Sequence, residues 1–329
     1  MQTESDWRPL ASLDVLKLRA SILARIREFF TKLDVLEVDT PVLSRAATTD
    51  PALCSFKTVY SGPGAAKDEP RYLHTSPEFP MKRLLAAGSG SIYQICKVFR
   101  NGESGIRHNP EFMLLEWYRT GFDELELMEE VQRLVTDVLT DVMPIDTIQH
   151  WCYRDLFVEM AAVDPFTATV AELSGLLQSR YGVTAVGLAS DDRDAWLDLL
   201  MTHVIEPRLG NGLVFIRDYP ASQAALARVR PGDPPVAARF EVYLNGIEIA
   251  NGFHELADAE EQQRRFEREL QQRCKAGSEV VTMDEKLLSA LRSGLPDCAG
   301  VALGLDRLLM LASGSRQVQD VLAFPFHMA

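Results

Sequence analysis

The sequence predicts an α+β fold in which helices flank an antiparallel sheet. The first observation is the turn Asn245-Gly246, which joins two β-rich segments within residues 239–251 into a hairpin. The second is that segments with helical periodicity alternate with β-rich segments. The helical segments are residues 14–33, 123–142, 259–275 and most of 150–210, and the β-rich ones are residues 91–99, 111–118 and 215–219. The third is that no linker or repeat divides the sequence, so we predict a single domain over residues 1–329.

Local signals indicate where several elements begin. The stretch Val35-Leu36-Glu37-Val38 predicts a short strand, and Pro41 follows where the chain must turn. Ser76 is expected to cap the next helix, with Pro77 at the first helical position. Glu78 stands at capping-box spacing from the threonine before Ser76, which supports the same start.

Composition excludes several classes of protein. Hydrophobic residues make up 47% and charged residues 25% of the chain, which is typical of a globular protein. No apolar run approaches the ~20 residues of a membrane span, and the polar segment Met1–Arg8 does not read as a signal peptide. The formal charge of −13 argues against broad nucleic-acid binding. Five cysteines without a Cys-x-x-Cys pair predict free thiols in a reducing cytoplasm.

The predicted hairpin places two carboxylates on one face of the sheet. With a two-residue turn, Tyr243 pairs with Glu248, and Glu241 lies opposite Ala250. Cross-strand partners share a face, and so do positions two apart, so Glu241 and Glu248 lie diagonally on one face. Mg²⁺ bound to a nucleotide takes a few carboxylates plus phosphate oxygens and would relieve their repulsion. A solvated polar face is the alternative.

Two further segments carry groups that suit a ligand. Small residues around Asn251 leave room for one, and Glu255 adds a third carboxylate that suits an amino group. The predicted strand 111–118 places Phe112, Glu116 and Tyr118 on one face, where a ring can stack on a base. Packing in the core is the alternative for these aromatic residues.

Two loops suit anions. Arg100 and Arg107 lie in a polar loop between two strands, and guanidinium groups bind phosphate or carboxylate oxygens. A solvated turn is the alternative for this loop. Gly304 precedes a helix whose first turn holds Arg307, near the positive end of the helix dipole. The sequence contains neither a P-loop nor a GxGxxG dinucleotide fingerprint.

In chain order, these segments resemble the three signature motifs of the class II aminoacyl-tRNA synthetases. Motif 1, the dimer element of that family, motif 2 and the end of motif 3 are similar to the stretches Arg19–Pro41, Phe99–Phe112 and Gly304–Arg307. Four stretches resemble the lysyl branch in particular, namely Thr75–Glu78, Arg107–Phe112, Asp218–Pro220 and Asn251–Leu256. The resemblance covers residues 14–326 and implies an ATP-dependent ligase with the class II catalytic fold.

The resemblance implies a role for each candidate residue. It implies an ATP site made of Arg100, Asn101, Gly102, Asn109, Phe112, Glu248, Ile249, Gly304 and Arg307, with Mg²⁺ held by Glu241 and Glu248. It implies an amino-acid site made of Ser76, Pro77, Glu78, Tyr118, Asn251, Glu255 and Ala302. The catalytic residues would be Arg100, Glu248 and Arg307. Arg100 would hold the α-phosphate and the substrate carboxylate, and Arg307 would cover the adenine opposite Phe112.

The chain also departs from the lysyl-tRNA synthetases. Its catalytic domain begins almost at Met1, with no room for their anticodon-binding barrel, and Ala302 stands where they usually carry glycine. Both features resemble the elongation factor P–(R)-β-lysine ligases, a branch of the class. That resemblance implies (R)-β-lysine as substrate, elongation factor P rather than tRNA as acceptor, and a cytoplasmic homodimer. A truncated lysyl-tRNA synthetase-like ligase for another acceptor and a non-catalytic synthetase-like regulator are the alternatives.

Motif 2 shows one further departure. The family continues Arg-x-Glu after the strand, whereas Gly102 occupies the glutamate position here and Glu103 follows it. Either the loop shifts to present Glu103 to the adenine amino group, or that contact is weakened. We expect activity to survive, because Phe112 and Arg307 are both present.

Overall fold

The computed structural model describes residues 7–64, 69–182 and 192–329. Its helices are α1 (Leu13–Lys32), α2 (Glu78–Ala86), α3 (Glu124–Leu139), α4 (Tyr153–Ala161), α5 (Val170–Tyr181), α6 (Arg193–Leu200), α7 (Ala259–Lys275), α8 (Glu285–Gly294) and α9 (Leu305–Ala312). Its strands are β1 (Leu36–Glu37), β2 (Leu43–Ser44), β3 (Lys57–Val59), β4 (Pro70–Leu73), β5 (Ile92–Phe99), β6 (Glu111–Thr120), β7 (Ile148–Cys152), β8 (Leu213–Pro220), β9 (Val229–Arg230), β10 (Val236–Leu244), β11 (Ile247–His254) and β12 (Cys298–Gly304). The opening segment Met1–Arg8 and the mostly helical stretch 150–210 each lie partly outside the described residues.

One large sheet organises the described part of the chain. Its strand order is β1-β5-β6-β12-β11-β10-β8-β7, with β9 paired to β10. The pairs β1–β5 and β7–β8 are parallel, and the pairs between β5 and β8 along this order are antiparallel. A smaller sheet has the order β2-β4-β3. β12 lies between β6 and β11, so residues that are distant in sequence become neighbours in the middle of the sheet.

Helices cover the sheet and bury its apolar side chains. α1, α3 and α9 pack on one face, around Phe30, Leu115 and Trp117. α4, α5 and α6 pack against β8 and β10 in a second cluster, and α2 and α8 close a third cluster beside β5 and β6. Removing this apolar surface from water is the main force that holds the layers together. The predicted α+β class, an antiparallel sheet flanked by helices, is confirmed.

Within the described ranges, no helix is both long and apolar enough to cross a bilayer.

The helical periodicity predicts the long helices well. α7 has the predicted bounds, and α3 begins after Asp123, which forms a capping box with Glu126. α1 begins at Leu13, where the Ser12 side chain accepts a hydrogen bond from the backbone N–H of Val15.

The start of α2 differs from the prediction. The helix begins at Glu78 with Pro77 as its N-cap, so the expected position of Pro77 within the first turn is wrong. The expected capping box is also absent, because the Glu78 carboxylate contacts Lys82 at 2.6 Å. The Ser76 hydroxyl accepts from the backbone N–H of Glu78 at 3.0 Å and donates to Glu116. Ser76 therefore binds the first backbone N–H of α2, as expected of a cap, and also joins a buried carboxylate.

The hairpin of β10 and β11 has the predicted turn. Asn245 and Gly246 have φ values of 51° and 73°, the left-handed conformations that a tight hairpin turn requires. The predicted pairs Leu244–Ile247 and Tyr243–Glu248 are both formed. Because the turn sets the register, these first pairs follow from it directly.

Beyond those pairs, the predicted register is wrong. Glu241 pairs with Asn251 and not with Ala250, because Ile249 is an extra residue in β11. Such a bulge sets two residues of one strand against one residue of its partner. Ile249 and Ala250 are both buried in the core that α1, α3 and α9 cover, and this shared burial accounts for the bulge.

Candidate active site

One row of side chains crosses the middle of the sheet. Glu116 on β6 pairs with Ala302 on β12, Ala302 pairs with Asn251 on β11, and Asn251 pairs with Glu241 on β10. Paired residues point to the same face of a sheet. These four residues therefore line one floor, on the face opposite the core of α1, α3 and α9.

The bulge in β11 brings Glu248 onto the same floor. In a regular strand, Glu248 and Asn251 would face opposite sides, because they are three positions apart. The extra residue Ile249 resets the alternation, so that both side chains share a face with Glu241. The floor thus brings together two residues predicted for the metal, Glu241 and Glu248, and two predicted for the amino acid, Asn251 and Ala302.

Glu116 is a buried carboxylate in the centre of this floor. It is 2% exposed and accepts hydrogen bonds from the hydroxyl groups of Ser76 and Tyr118, each at 2.7 Å. Ser76 belongs to the loop before α2, and Tyr118 lies two residues along β6. One carboxylate therefore joins two side chains that the sequence predicted for the amino-acid site.

A buried lysine joins two further carboxylates. Lys82 lies one turn after Glu78 on α2, and its ammonium group contacts Glu78 and Glu255, each at 2.6 Å. The side chain of Lys82 is 2% exposed and that of Glu255 is 1% exposed. Glu78, Glu116 and Glu255 together outnumber this one ammonium group by two negative charges when all are ionised. A ligand with two ammonium groups would balance that excess. We call these four residues the amine cluster.

Burial shifts the pKa values in the amine cluster. Burial and the charge of Glu78 raise the pKa of Glu116 to about 8. Burial raises the pKa of Glu255 to about 7, although Lys82 lowers it. Burial lowers the pKa of Lys82, but the charges of Glu255 and Glu78 raise it overall. The cluster therefore holds protons near neutral pH that a cationic ligand would displace.

Gly300 on β12 leaves space for the polar groups beside it. A Cβ atom on Gly300 would lie 2.3 Å from the Tyr118 ring and 2.5 Å from Oε1 of Glu255. Both distances are far below van der Waals contact, so any side chain here would displace the two residues. Glycine is required at this position by the close approach of its neighbours.

Glu241 and Glu248 lie diagonally on the floor, on the two strands of the hairpin. Burial and the charge of Glu241 raise the pKa of Glu248, although Arg307 and Arg239 lower it. Arg239 and Tyr243 donate to the two carboxylate oxygens of Glu241, at 2.5 and 2.7 Å. In the described ranges, no three or more His, Cys, Asp or Glu side chains form a metal-binding group. Two carboxylates fit Mg²⁺ that brings phosphate and water ligands with it.

Two arginines of the predicted ATP site have different neighbours. Arg100 lies near the ring of Phe112, and Arg307 lies near Glu248. The guanidinium group of Arg100 lies 5.1 Å from the centre of the Phe112 ring, and its buried Nε makes no hydrogen bond. Arg307 donates to the backbone carbonyl and the carboxylate of Glu248, at 2.9 and 3.2 Å. It also donates to His108 at 2.7 Å. Burial and the charge of Arg307 lower the pKa of His108, which leaves that ring neutral at pH 7.

Gly102 forms a turn in the motif 2 loop. Its φ of 87° is a conformation that residues with side chains rarely adopt. Glu103 follows, and its carboxylate lies 3.8 Å from the Arg100 guanidinium group. The carboxylate of Glu103 therefore lies beside Arg100, and its presentation to the adenine amino group stays a prediction.

The remaining residues predicted for the ATP site have few side-chain polar atoms that are free to bind a ligand. Asn109 donates to the Glu111 carbonyl at 2.6 Å and accepts from the Phe326 backbone at 3.1 Å, so both its polar atoms are engaged. The backbone N–H of Asn101 donates to the carbonyl of Cys54. Ile249 is a buried core residue and Gly304 is the N-cap of α9, so both offer mainly backbone atoms.

Three polar side chains of the site were not among the predicted site residues, namely Glu116, Lys82 and Arg239. Glu116 was expected on the ligand face, but nothing in the sequence distinguished it from a core position. The spacing of Glu78 and Lys82 is that of an exposed helix pair, so it gave no signal of burial. Arg239 lies two residues before Glu241, and this shared strand face was the signal that could have identified it.

The comparisons with known proteins agree with one another. The chain matches the family described as tRNA synthetases class II (D, K and N) over residues 5–328. An elongation factor P--(R)-beta-lysine ligase of Vibrio vulnificus is 47% identical over 99% of this chain and 100% of its own length. The proteins of that name from Vibrio atlanticus and Vibrio cholerae are 49% identical over 98% of this chain, and over 98% and 99% of their own. This chain therefore belongs to the class II tRNA synthetase family, and within it to the family of the elongation factor P–(R)-β-lysine ligases.

Proposed function

We propose that this protein activates (R)-β-lysine with ATP and transfers it to a lysine side chain of elongation factor P. The observation that carries the proposal is the amine cluster, whose three carboxylates exceed its one ammonium group by two charges when all are ionised. (R)-β-lysine carries two ammonium groups, which match that excess. The acceptor follows from the names of the relatives, which cover almost the whole chain.

The first step is formation of an adenylate. A carboxylate oxygen of β-lysine attacks the α-phosphorus of ATP, the bond from that phosphorus to the bridging oxygen breaks, and pyrophosphate leaves. We assign Arg100 to the α-phosphate and the substrate carboxylate, and its unpaired buried Nε supports this role. We assign Phe112 and Arg307 to the adenine. Positioning and charge neutralisation supply the rate, so no protein nucleophile is needed.

We assign Glu241 and Glu248 to Mg²⁺. Their mutual repulsion, which contributes to the raised pKa of Glu248, supports a cation between them. When bound, Mg²⁺ neutralises charge on the phosphate groups. Glu248 also accepts from Arg307 and thereby orients that guanidinium group.

We assign the two ends of the amino acid to different parts of the floor. Glu78 meets the amino group near the reacting carboxylate, and Tyr118 and Glu255 meet the distal ammonium group. Ser76 and Pro77 hold the loop before α2. Asn251 and Ala302 line the floor between the sites for the two amino groups. The methyl group of Ala302 occupies space that glycine would leave free, which favours the β-amino isomer.

The second step transfers the acyl group. The neutral amine of the acceptor lysine attacks the carbonyl carbon of the adenylate, the bond to the phosphate oxygen breaks, and AMP leaves. The amine nitrogen then loses a proton to solvent. We propose that residues 1–329 act as one catalytic domain, that the protein is a homodimer, and that it works in the cytoplasm beside its acceptor.

The direct test offers two acceptors. The protein is incubated with ATP, Mg²⁺ and (R)-β-lysine, and with elongation factor P in one tube or tRNA in another, and both acceptors are weighed. We expect one β-lysyl mass increment on elongation factor P alone. Aminoacylated tRNA would instead favour the truncated synthetase, and no pyrophosphate exchange with any lysine analogue would favour a non-catalytic regulator.

The metal assignment has its own test. Glu248→Gln removes one charge of the proposed Mg²⁺ site while keeping the size of the side chain. We expect ATP–pyrophosphate exchange to fall by about 100-fold or more, because charge stabilisation of the transferring phosphate is lost. The matched control is Glu159→Gln on the exposed face of α4, which should leave exchange unchanged. Exchange at the wild-type rate in Glu248→Gln would contradict the assignment.

A further inference from the structure

Arg239 contacts both halves of the floor. It lies on β10, its side chain is 16% exposed, and its Nη2 donates to Glu241 at 2.5 Å. Its Nε donates to the amide oxygen of Asn251 at 3.3 Å, and its Nη1 donates to the backbone carbonyl of Gln223 at 2.8 Å. The guanidinium carbon also lies 4.5 Å from the centre of the Tyr219 ring. Each nitrogen of the group therefore has a different partner.

A guanidinium group fixes the relative positions of its partners. It is planar, its donors form a rigid fork, and it has no acceptor. Because Nε and Nη2 belong to one plane, Asn251 and Glu241 are held at a fixed distance and angle from each other. The third contact and the Tyr219 ring hold the plane itself in place.

The contact also decides which end of Asn251 meets a ligand. Arg239 can only donate, so the amide oxygen of Asn251 must point towards it. The amide NH₂ of Asn251 is then left to donate to an acceptor on the ligand, such as its carboxylate. Without Arg239, the amide could rotate and present its oxygen instead.

Arg239 orients Glu241 in the same way. Tyr243 donates to one oxygen of Glu241 at 2.7 Å, and Arg239 donates to the other. Each oxygen keeps a second lone pair, and the direction of those lone pairs is set by the two donors. Partners that orient a metal ligand in this way strongly influence metal affinity.

We propose that Arg239 is a positioning residue that aligns the metal site with the amino-acid site, by fixing Glu241 and Asn251 with one guanidinium group. This inference rests on the proposed function. The contacts of Arg239 are to protein groups, and its effect passes through the two residues that it holds.

Arg239→Lys tests the proposal, because lysine keeps the charge but cannot hold two partners in one plane. ATP–pyrophosphate exchange is measured with (R)-β-lysine while Mg²⁺ and β-lysine are titrated separately. We expect the half-saturating Mg²⁺ concentration and the KM for β-lysine each to rise about tenfold, as loss of one charge-assisted hydrogen bond to each partner predicts. Arg239→Gln should shift both constants in the same direction. The control Arg154→Lys, at a half-exposed arginine of α4, should shift neither.

A merely structural role gives a different result. It would lower kcat or the melting temperature while both half-saturation constants stay at their wild-type values, and that outcome would overturn the proposal. The absence of exchange in the wild-type protein would instead overturn the proposed function, and the inference with it.

A double-mutant cycle adds an independent readout. If Arg239 acts on β-lysine through Asn251, then Arg239→Lys should add less than about twofold to the KM of Asn251→Ala. Independent effects would multiply, so a further tenfold increase in the double variant would show that Arg239 does not act through Asn251.

Discussion

A lysine buried among carboxylates is costly unless each charge finds a partner. Lys82 has two, since it contacts Glu78 and Glu255, whereas Glu116 receives only neutral hydroxyl donors. Glu116 is therefore the carboxylate that most lacks a cation, and its pKa of about 8 reflects this. An arriving ammonium group would supply the missing charge.

This arrangement predicts a pH dependence of substrate binding. The carboxyl groups bind an ammonium group only when they are ionised, and they lose their protons as the pH rises through about 7 for Glu255 and about 8 for Glu116. We therefore expect the KM for β-lysine to fall as the pH rises through these values, and to level off above them. Glu116→Gln keeps partners for Ser76 and Tyr118 and should remove the upper part of this dependence. A KM that does not change with pH in the wild-type protein would contradict the pKa values.

The space beside Gly300 gives a second prediction at this scale. Gly300→Ala would force its Cβ against Tyr118 and Glu255, at 2.3 and 2.5 Å. We expect the KM for β-lysine to rise about tenfold or more, because the distal ammonium site is displaced by an ångström or so. The measurement is pyrophosphate exchange together with circular dichroism, which separates a damaged pocket from an unfolded protein. A folded variant with the wild-type KM would show that the distal ammonium group binds elsewhere.

Among the elements, the β10–β11 hairpin shows what the sequence can and cannot predict. Asn245-Gly246 is a strong local signal, so the turn and the first two pairs were predicted. The bulge at Ile249 was not predicted, because the alternation of side chains along the strand fits a regular register as well as a bulged one. Its cause is the packing of Ile249 and Ala250 against helices from distant parts of the chain. Burial of Lys82 has the same kind of cause, since it depends on how α2 packs.

The turn can be tested by stability. Gly246→Ala places a Cβ on a residue with φ of 73° and within 3.1 Å of the Glu206 carbonyl. We expect the free energy of unfolding to fall by about 1–2 kcal/mol, the cost of the left-handed conformation for a residue with a side chain. Gly175→Ala, in the interior of α5 with nothing within 4 Å of its Cβ, should instead raise it by about 0.5–1 kcal/mol. Both are measured by chemical denaturation, and equal effects of the two variants would refute the turn geometry.

For the whole molecule, exposed apolar side chains in and before the motif 1 segment are candidates for the interface of the expected homodimer. Trp7, Leu13 and Leu36, in and beside the motif 1 segment, are 76%, 71% and 56% exposed. Of these, Leu36 lies within the motif 1 segment, which the family resemblance assigns to the dimer interface. Within the motif 1 segment, Arg19 of α1 also contacts Asp306 of α9 at 2.5 Å, next to Arg307.

If the protein dimerises through the motif 1 segment, one charge added at Leu36 should disrupt the dimer. Leu36→Glu should convert the dimer to a monomer, because an unpaired carboxylate would be buried in the interface. Light scattering at micromolar concentration measures the mass. Val158→Glu on α4, at a side chain that is 50% exposed, is the matched control and should remain dimeric. A monomeric mass for the wild-type protein would refute the expected dimer.

The central position of β12 has a consequence for synthesis on the ribosome. β12 is the last strand along the described chain, yet it lies between β6 and β11. As the chain emerges, β6 and β11 are both available well before the strand that must separate them, and each presents an unpaired edge that can join the wrong partner. The floor also lacks Gly300 and Ala302 until that strand arrives. A nascent chain that stops before Cys298 therefore lacks a complete active site. Its sheet is also open, and the unpaired edges of β6 and β11 can pair with strands of other chains.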